Sequence, residues 1–263
     1  MASLSVVSTS DFRLAAAVVA ITFAAGAAVA DDGPITGNPL VDIPAGTFVF
    51  GRDNGPDNER PRRQLLGGAF AINRTEITNR QYQDFVAATG HRPAFYAGHP
   101  LLGLDDHPVV GVSWADADAF CRHYVLTLPS EQQYERAARG TEGLAFPWGM
   151  APADYRRVNA GTTICCSGDA SDGYPMTAPA MSFAAGASGE GVLNLIGNVW
   201  EWTSDLYVPH EPKGAMGGRS YRVLRGGSWN SDSAHLTTTY RLAYDPDFRF
   251  SANGGFRCVR SGR

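Results

Sequence analysis

The chain has 263 residues, with 22 Lys and Arg against 26 Asp and Glu, a formal charge of −4. That length can bury a substantial core, and the mildly acidic balance excludes a binder of phosphate backbones, which needs a basic face. A hydrophobic share of 44% excludes a disordered tail, while 30 Gly and 16 Pro predict many turns and few long helices.

In chain order, the first signal is an address. Arg13 precedes an uncharged run from Leu14 to Ala30 that closes on Ala28-Val29-Ala30 before Asp31-Asp32. One positive charge, a short apolar core and a small-x-small exit predict a secretory signal peptide over residues 1–30. The alternative is an uncleaved anchor, for which a run of about 17 Ala-rich residues lies at the low edge. A periplasmic or secreted protein is therefore expected, with a lead-in over 31–40, one domain over 41–263 and no membrane association after cleavage.

Three short helices follow, each announced by its cap. Thr78 with Gln81 forms a capping box ahead of Tyr82, Phe85, Val86 and Thr89, which fall at helical spacing, and Gly90 is the expected stop. Ser113 with Asp116 starts the second, whose inner face is Ala117, Phe120, Cys121 and Tyr124. Ser130 with Gln133 starts the third, with Tyr134, Ala137 and Ala138 inward and Gly140 as stop. Beyond Gly140 the chain is rich in Gly, Pro, Asn, Asp and Ser. It predicts loops anchored by metal ions, bridges or aromatic plugs, and core packing is the ordinary role of Trp148, Trp200, Trp202 and Trp229.

Several phrases occur in order: Ile43-Pro44-Ala45-Gly46, Arg74-Thr75-Glu76-Ile77-Thr78-Asn79, His107-Pro108-Val109-Val110-Gly111-Val112-Ser113-Trp114, Gly197-Asn198-Val199-Trp200-Glu201-Trp202, Arg225-Gly226-Gly227-Ser228-Trp229 and Gly255-Phe256-Arg257-Cys258. From about residue 41 to 260 the chain resembles the formylglycine-generating enzyme, or sulfatase-modifying factor, family. The resemblance implies an α+β fold of the C-type-lectin-like kind, compact and low in regular structure. It implies structural calcium at two places. At the first, Asn194 and Glu201 would give side chains, and Gly197 and Val199 carbonyls. At the second, Asn159 and Asp172 would give side chains, and Ala160 and Tyr174 carbonyls. Hard cations want such oxygen sets; the alternative is that these side chains satisfy turn backbone. The family also implies a bridge between Cys121 and Cys258, the latter expected on the last strand, against the alternative of two buried thiols. Cys165-Cys166 is open between a strained local bridge, a soft-metal site and pairing with another chain.

One departure matters. The oxidase of this family holds copper on two cysteines shortly after its Gly-Gly-Ser segment, whereas the segment here, from Gly226 to Arg241, contains no cysteine. Cu(I) needs soft sulfur ligands, so neither catalytic copper nor formylglycine generation is expected. Among six histidines, His235 stands out: it lies in the expected active-site strand with Asp232 nearby, a plausible acid/base pair. Export and the missing sulfur pair resemble the PvdO-like branch, whose chemistry is oxidative maturation of a peptide-linked siderophore chromophore. The resulting expectation is an exported oxidoreductase that tailors a peptide or peptide-like small molecule. The candidate residues are His235, Asp232, Ser228, Trp200 and Arg241, the last able to fork a carboxylate. The alternative is a non-catalytic binding or assembly protein on the same scaffold, acting on a partner protein.

Overall fold

In the computed structural model the described residues are 34–59, 61–161, 170–208 and 220–262. The expected signal peptide, the first three residues of the lead-in, Cys165, Cys166 and His210 lie outside them. Strands β1 (Leu40–Ile43), β2 (Gly46–Phe50), β3 (Arg63–Gly67) and β4 (Phe70–Asn73) come first. Helices α1 (Asn79–Thr89), α2 (Trp114–His123) and α3 (Glu131–Arg139) follow, and then β5 (Trp200–Leu206), β6 (Arg222–Arg225), β7 (Arg241–Tyr244), β8 (Gly254–Gly255) and β9 (Val259–Ser261). No helix among the described residues is long and apolar enough to cross a membrane.

Each helix starts where its cap sits, because the cap side chain satisfies an amide that the helix leaves unpaired. Capping boxes join Thr78 with Gln81, Ser113 with Asp116 and Ser130 with Gln133. Gly90 ends α1 in the left-handed region at φ 71°. The inward faces follow the spacing except that Val86 and Tyr124 are only partly buried and Thr89, at the end of α1, is exposed.

Three sheets frame the helices. β1, β4 and β9 form an antiparallel sheet with β4 central, and β2 pairs β3 antiparallel from Gly46 opposite Gly67 to Phe50 opposite Arg63. The largest sheet has the order β7-β6-β5-β8, antiparallel except for the parallel β5–β8 pair. Its inner residues Trp200, Trp202 and Leu224 pack with Tyr82 and Phe85 of α1, Phe120 of α2 and Phe256. The Cys121–Cys258 bridge ties α2 to the residue just before β9, with Cα atoms 5.6 Å apart across 137 positions. Closing so long a loop stabilises by up to ~4–5 kcal/mol in the chain-entropy model.

Residues 226–240 are turns joining β6 to β7 and not the strand the sequence suggests. Two consecutive glycines cause this. Gly226 (φ 98°) and Gly227 (φ 79°) both occupy the left-handed region, and a Cβ on Gly226 would stand 2.6 Å from the Tyr134 hydroxyl oxygen. The turns present side chains to β5 on one side and to the end of β2 on the other.

Candidate functional site

The segment Asp232 to Tyr240 carries the only close acid–base pair of the predicted catalytic set. His235 Nδ1 donates to Asp232 Oδ1 at 2.6 Å, which leaves the ring's lone pair on Nε2. The turn itself sets this up, because Asp232 also accepts from the His235 amide through its carbonyl (3.1 Å) and from the Ala234 amide through Oδ1 (3.0 Å). Both side chains reach solvent, at 32% and 24% exposure. Two aromatic faces wall the imidazole: Tyr240 with ring centroids 4.6 Å apart and Trp200 at 6.5 Å, the two 5.8 Å from each other. Burial, then the charge of Glu59, raises the Tyr240 phenol above its ordinary value, so it stays neutral. An imidazole fixed by a carboxylate beside flat faces can take a proton from a ring substituent.

The other predicted residues have different surroundings. Ser228 is fully buried; its hydroxyl donates to Asn230 Oδ1 (2.8 Å) and lies 3.1 Å from Ser231 Oγ. Asn253 Nδ2 closes this neutral cluster by donating to Asn230 Oδ1 at 2.8 Å. Arg241 does fork a carboxylate, but that carboxylate is Glu131 of α3, and its guanidinium lies over the Tyr207 ring. Arg241 therefore binds α3 to β7 and does not join His235.

The first predicted calcium set surrounds a buried charge cluster. Both Glu201 oxygens accept from Arg257, at 2.7 and 2.8 Å, and the Tyr134 hydroxyl adds a 3.1 Å bond. Glu76, 4.0 Å from the same guanidinium, accepts from Asn194 Nδ2 (3.1 Å) and Asn198 Nδ2 (2.9 Å). Glu76, Glu201 and Arg257 are all fully buried. Burial pushes the Glu76 carboxyl up to about 7, against the pull of Arg257. Raised this far, Glu76 is partly protonated, and the Arg257–Glu201 pair carries most of the charge balance of the cluster. The backbone suits the loop: Asn194 and Asn198 are left-handed, and a Cβ on Gly197 would meet Val158 at 2.2 Å.

At the second set Asp172 gathers its neighbours, accepting from the Ala160 amide (3.0 Å) and the Tyr174 amide (2.9 Å). Asn159 donates through Nδ2 to Met176 O and Asn198 Oδ1, each at 2.9 Å, while its Oδ1 is buried with no hydrogen-bond partner. An orphaned buried carbonyl oxygen beside a carboxylate is what a hard cation would satisfy. The second set therefore fits calcium by an unsatisfied donor oxygen, whereas in the first both Glu201 oxygens are already engaged by Arg257. Sequence reasoning gave no site role to Glu76, Asn198, Asn253 or Arg257, and it placed Tyr134 only on the inner face of the third helix. The available signal was a charged residue inside an otherwise apolar phrase, as in Thr75-Glu76-Ile77 and Phe256-Arg257-Cys258.

Residues 27–262 match the sulfatase-modifying factor enzyme 1-like domain family. The chain is 31% identical to the formylglycine-generating enzyme of Streptomyces coelicolor, over 92% of this chain and 96% of that protein. It is also 31% identical to inactive C-alpha-formylglycine-generating enzyme 2 of Mus musculus, over 84% and 85%. Among solved structures it superimposes on PvdO from Pseudomonas aeruginosa with a TM-score of 0.70 and 25% identity, covering 85% of this chain and 94% of that one. With a family model matched over residues 27–262 and relatives 31% identical along most of both chains, the chain belongs to the formylglycine-generating enzyme, or sulfatase-modifying factor, family.

Proposed function

We propose that the protein is an exported tailoring enzyme that oxidises an aromatic ring carried on a peptide or peptide-like molecule, without copper. The observation that carries this is the His235–Asp232 pair, 2.6 Å apart, partly open to solvent and flanked by Tyr240 and Trp200. A flat ring set beside the partly exposed Tyr240 would give a hydroxyl or amine proton to His235 Nε2, with Asp232 stabilising the imidazolium. The second hydrogen would leave with both electrons to an external two-electron acceptor such as dioxygen, which with the proton relayed by His235 becomes hydrogen peroxide. Similarity to PvdO and the cysteine-free Gly226–Arg241 segment support this branch of the family over formylglycine generation. Calcium would be structural, held by Asn159, Asp172 and the carbonyls of Ala160 and Tyr174. A second ion, at Asn194, Glu201, Gly197 and Val199, would have to share Glu201 with Arg257.

The test is metabolite profiling of a deletion strain complemented with the wild type, His235→Gln or Asp232→Asn. A precursor richer by two hydrogens should accumulate in the deletion and in both variants. A second reading, a binding or assembly protein, is favoured by the burial of Ser228 and Trp200 and by an exposed edge-to-face row of Phe95, Phe250 and Phe248. Similarity to a family member named inactive points the same way. Unchanged metabolites in the deletion, with loss of an assembled partner, would replace the first reading by the second.

A further inference from the structure

The turns after β6 have a second side. Between the end of β2, the C-terminal half of α3 and the segment Thr237–Thr239 lies an open cavity of about 300 Å3. Arg52, Arg62, Arg139, Asn54, Thr237 and Thr239 give it its polar wall. That volume is at the small end of ligand sites and suits one compact polar group.

The wall is cationic. Three guanidiniums line it against one carboxylate, and that one, Asp53, turns its Oδ1 to the Arg62 amide at 2.9 Å. The carboxylates that balance the other arginines stand behind them. Glu59 is buried and bound by Arg52, and it also accepts from the Thr239 hydroxyl. Glu135 is buried and shared, since Arg139 and Arg225 both donate to it. Arg139 is held rigidly by Gly51 O, Gly143 O and Glu135, each at 2.8 Å. Its side chain is 6% exposed, yet its Nε has no hydrogen-bond partner. The Arg62 guanidinium is exposed and has no partner among the described residues. Thr237 Oγ1 touches only Thr239 Oγ1, at 3.5 Å.

The free Arg62 guanidinium and the Thr237 hydroxyl meet at one small cavity beside the fixed Arg139 and Arg52, whose charges are already met from behind, and Asp53 is its one acidic side chain. Guanidinium forks match planar or tetrahedral oxyanions, and such charge-assisted bonds are the strong ones. The position gives the cavity a use, because Thr237–Thr239 is the stretch between His235 and Tyr240. We propose that this cavity binds an oxyanion group, carboxylate or phosphate, of the molecule whose ring is presented to His235. Its assignment to that molecule rests on the function proposed above; the binding of an oxyanion does not.

The test uses the full chain and calorimetric titration with three probes. These are an acetylated tyrosyl-aspartate with free carboxylates, the same compound as its diamide, and inorganic phosphate. The free-carboxylate peptide, phosphate, or both should bind, and the diamide should not. The two charged probes separate the sources: binding of the peptide alone assigns a carboxylate, and of phosphate alone a phosphate. Arg62→Ala and Thr237→Val should each weaken that binding, the arginine change by about tenfold or more, the loss of one charge-assisted bond. Arg62 is exposed, so its variant should melt like the wild type. His235→Gln should leave oxyanion affinity unchanged even if it abolishes product, which separates a failure here from a failure of the proposed chemistry. Equal binding of diamide and acid, no binding of either charged probe, or wild-type affinity in Arg62→Ala would overturn the assignment.

Discussion

Asp116 shows how much one buried carboxylate can organise. Burial alone would raise its pKa, but hydrogen bonds from Arg92, the Ser113 amide, His91 and the Ser113 hydroxyl outweigh it and hold the group at about 2, below its ordinary 3.8. Arg92 approaches in a fork, 2.7 and 2.9 Å from the two oxygens. A carboxyl with a depressed pKa stabilises the fold above its unfolded value, and that contribution disappears as pH falls through the folded one. Arg92→Met should therefore destabilise the protein by about 1–2 kcal/mol at pH 7. In urea titrations the difference from wild type should shrink between about pH 4 and pH 2, and a pH-independent difference would contradict the assignment. The sequence displayed half of this arrangement. Asp116 was visible as the reciprocal partner of Ser113 because a capping box is local. Arg92 and His91 were not, because their approach depends on how α1 packs against α2. Arg241 failed to be legible for the same reason: its partner Glu131 lies 110 positions away, and no periodicity records such a pairing.

Among elements, α3 is the anchor. Its Glu131 and Glu135 accept from Arg225 of β6, Glu131 accepts again from Arg241 of β7, and its Arg139 donates to the carbonyls of Gly51 and Gly143. Arg225 is fully buried and also donates to Thr238 O and Thr239 O, so it fixes the floor of the turns that carry His235. Removing one partner of a buried ion pair strands the other without water. Arg225→Met should cost about 3–5 kcal/mol, whereas Arg80→Ala, which breaks the exposed pair with Asp105, should cost less than about 1 kcal/mol. Similar losses in equilibrium unfolding would show that the buried network does not hold the sheet. The bridge adds a covalent link on the other side of the core. A Cys121→Ala, Cys258→Ala double variant should lose about 2–5 kcal/mol, read as a lower thermal midpoint with an unchanged folded spectrum. Both cysteines were legible through their neighbours, Cys121 through helical spacing and Cys258 through the family phrase. The turns of 226–240 were not, since Tyr240-Arg241-Leu242-Ala243 reads as a strand while the preceding residues follow the two glycines instead.

For the molecule as a whole, the question is what orders the chain between α3 and β5, where the described residues hold one 3-10 turn, Ala184–Gly186, as their regular structure. Long irregular stretches need specific anchors. Here amides do part of the work. Asn198 accepts from the Ala178 amide at 2.8 Å and from Asn159 at 2.9 Å, and it donates to Glu76, while Asn194 reaches Glu76 and Ala180 O. These bonds join the two candidate calcium sets into one network, because the Asn198 amide also donates to Asn159 O at 2.8 Å. The orphaned Asn159 Oδ1 is its unsatisfied point. Calcium bound to the folded chain and not to the unfolded one would stabilise by about 2.7 kcal/mol at a free concentration one hundred times its dissociation constant. Chelation should accordingly lower the melting temperature, and added calcium should restore it in a concentration-dependent way. Magnesium should restore less, because it demands a tighter octahedral shell. Asp172→Asn and Asn159→Ala should each blunt the response while leaving α1 to α3 intact by circular dichroism. Glu201→Gln should lower stability whether or not calcium is present, since it also strands Arg257. A chelated protein that melts with the same midpoint as the calcium-loaded one would mean that amide bonds alone order this half, and that the orphaned oxygen is satisfied by water.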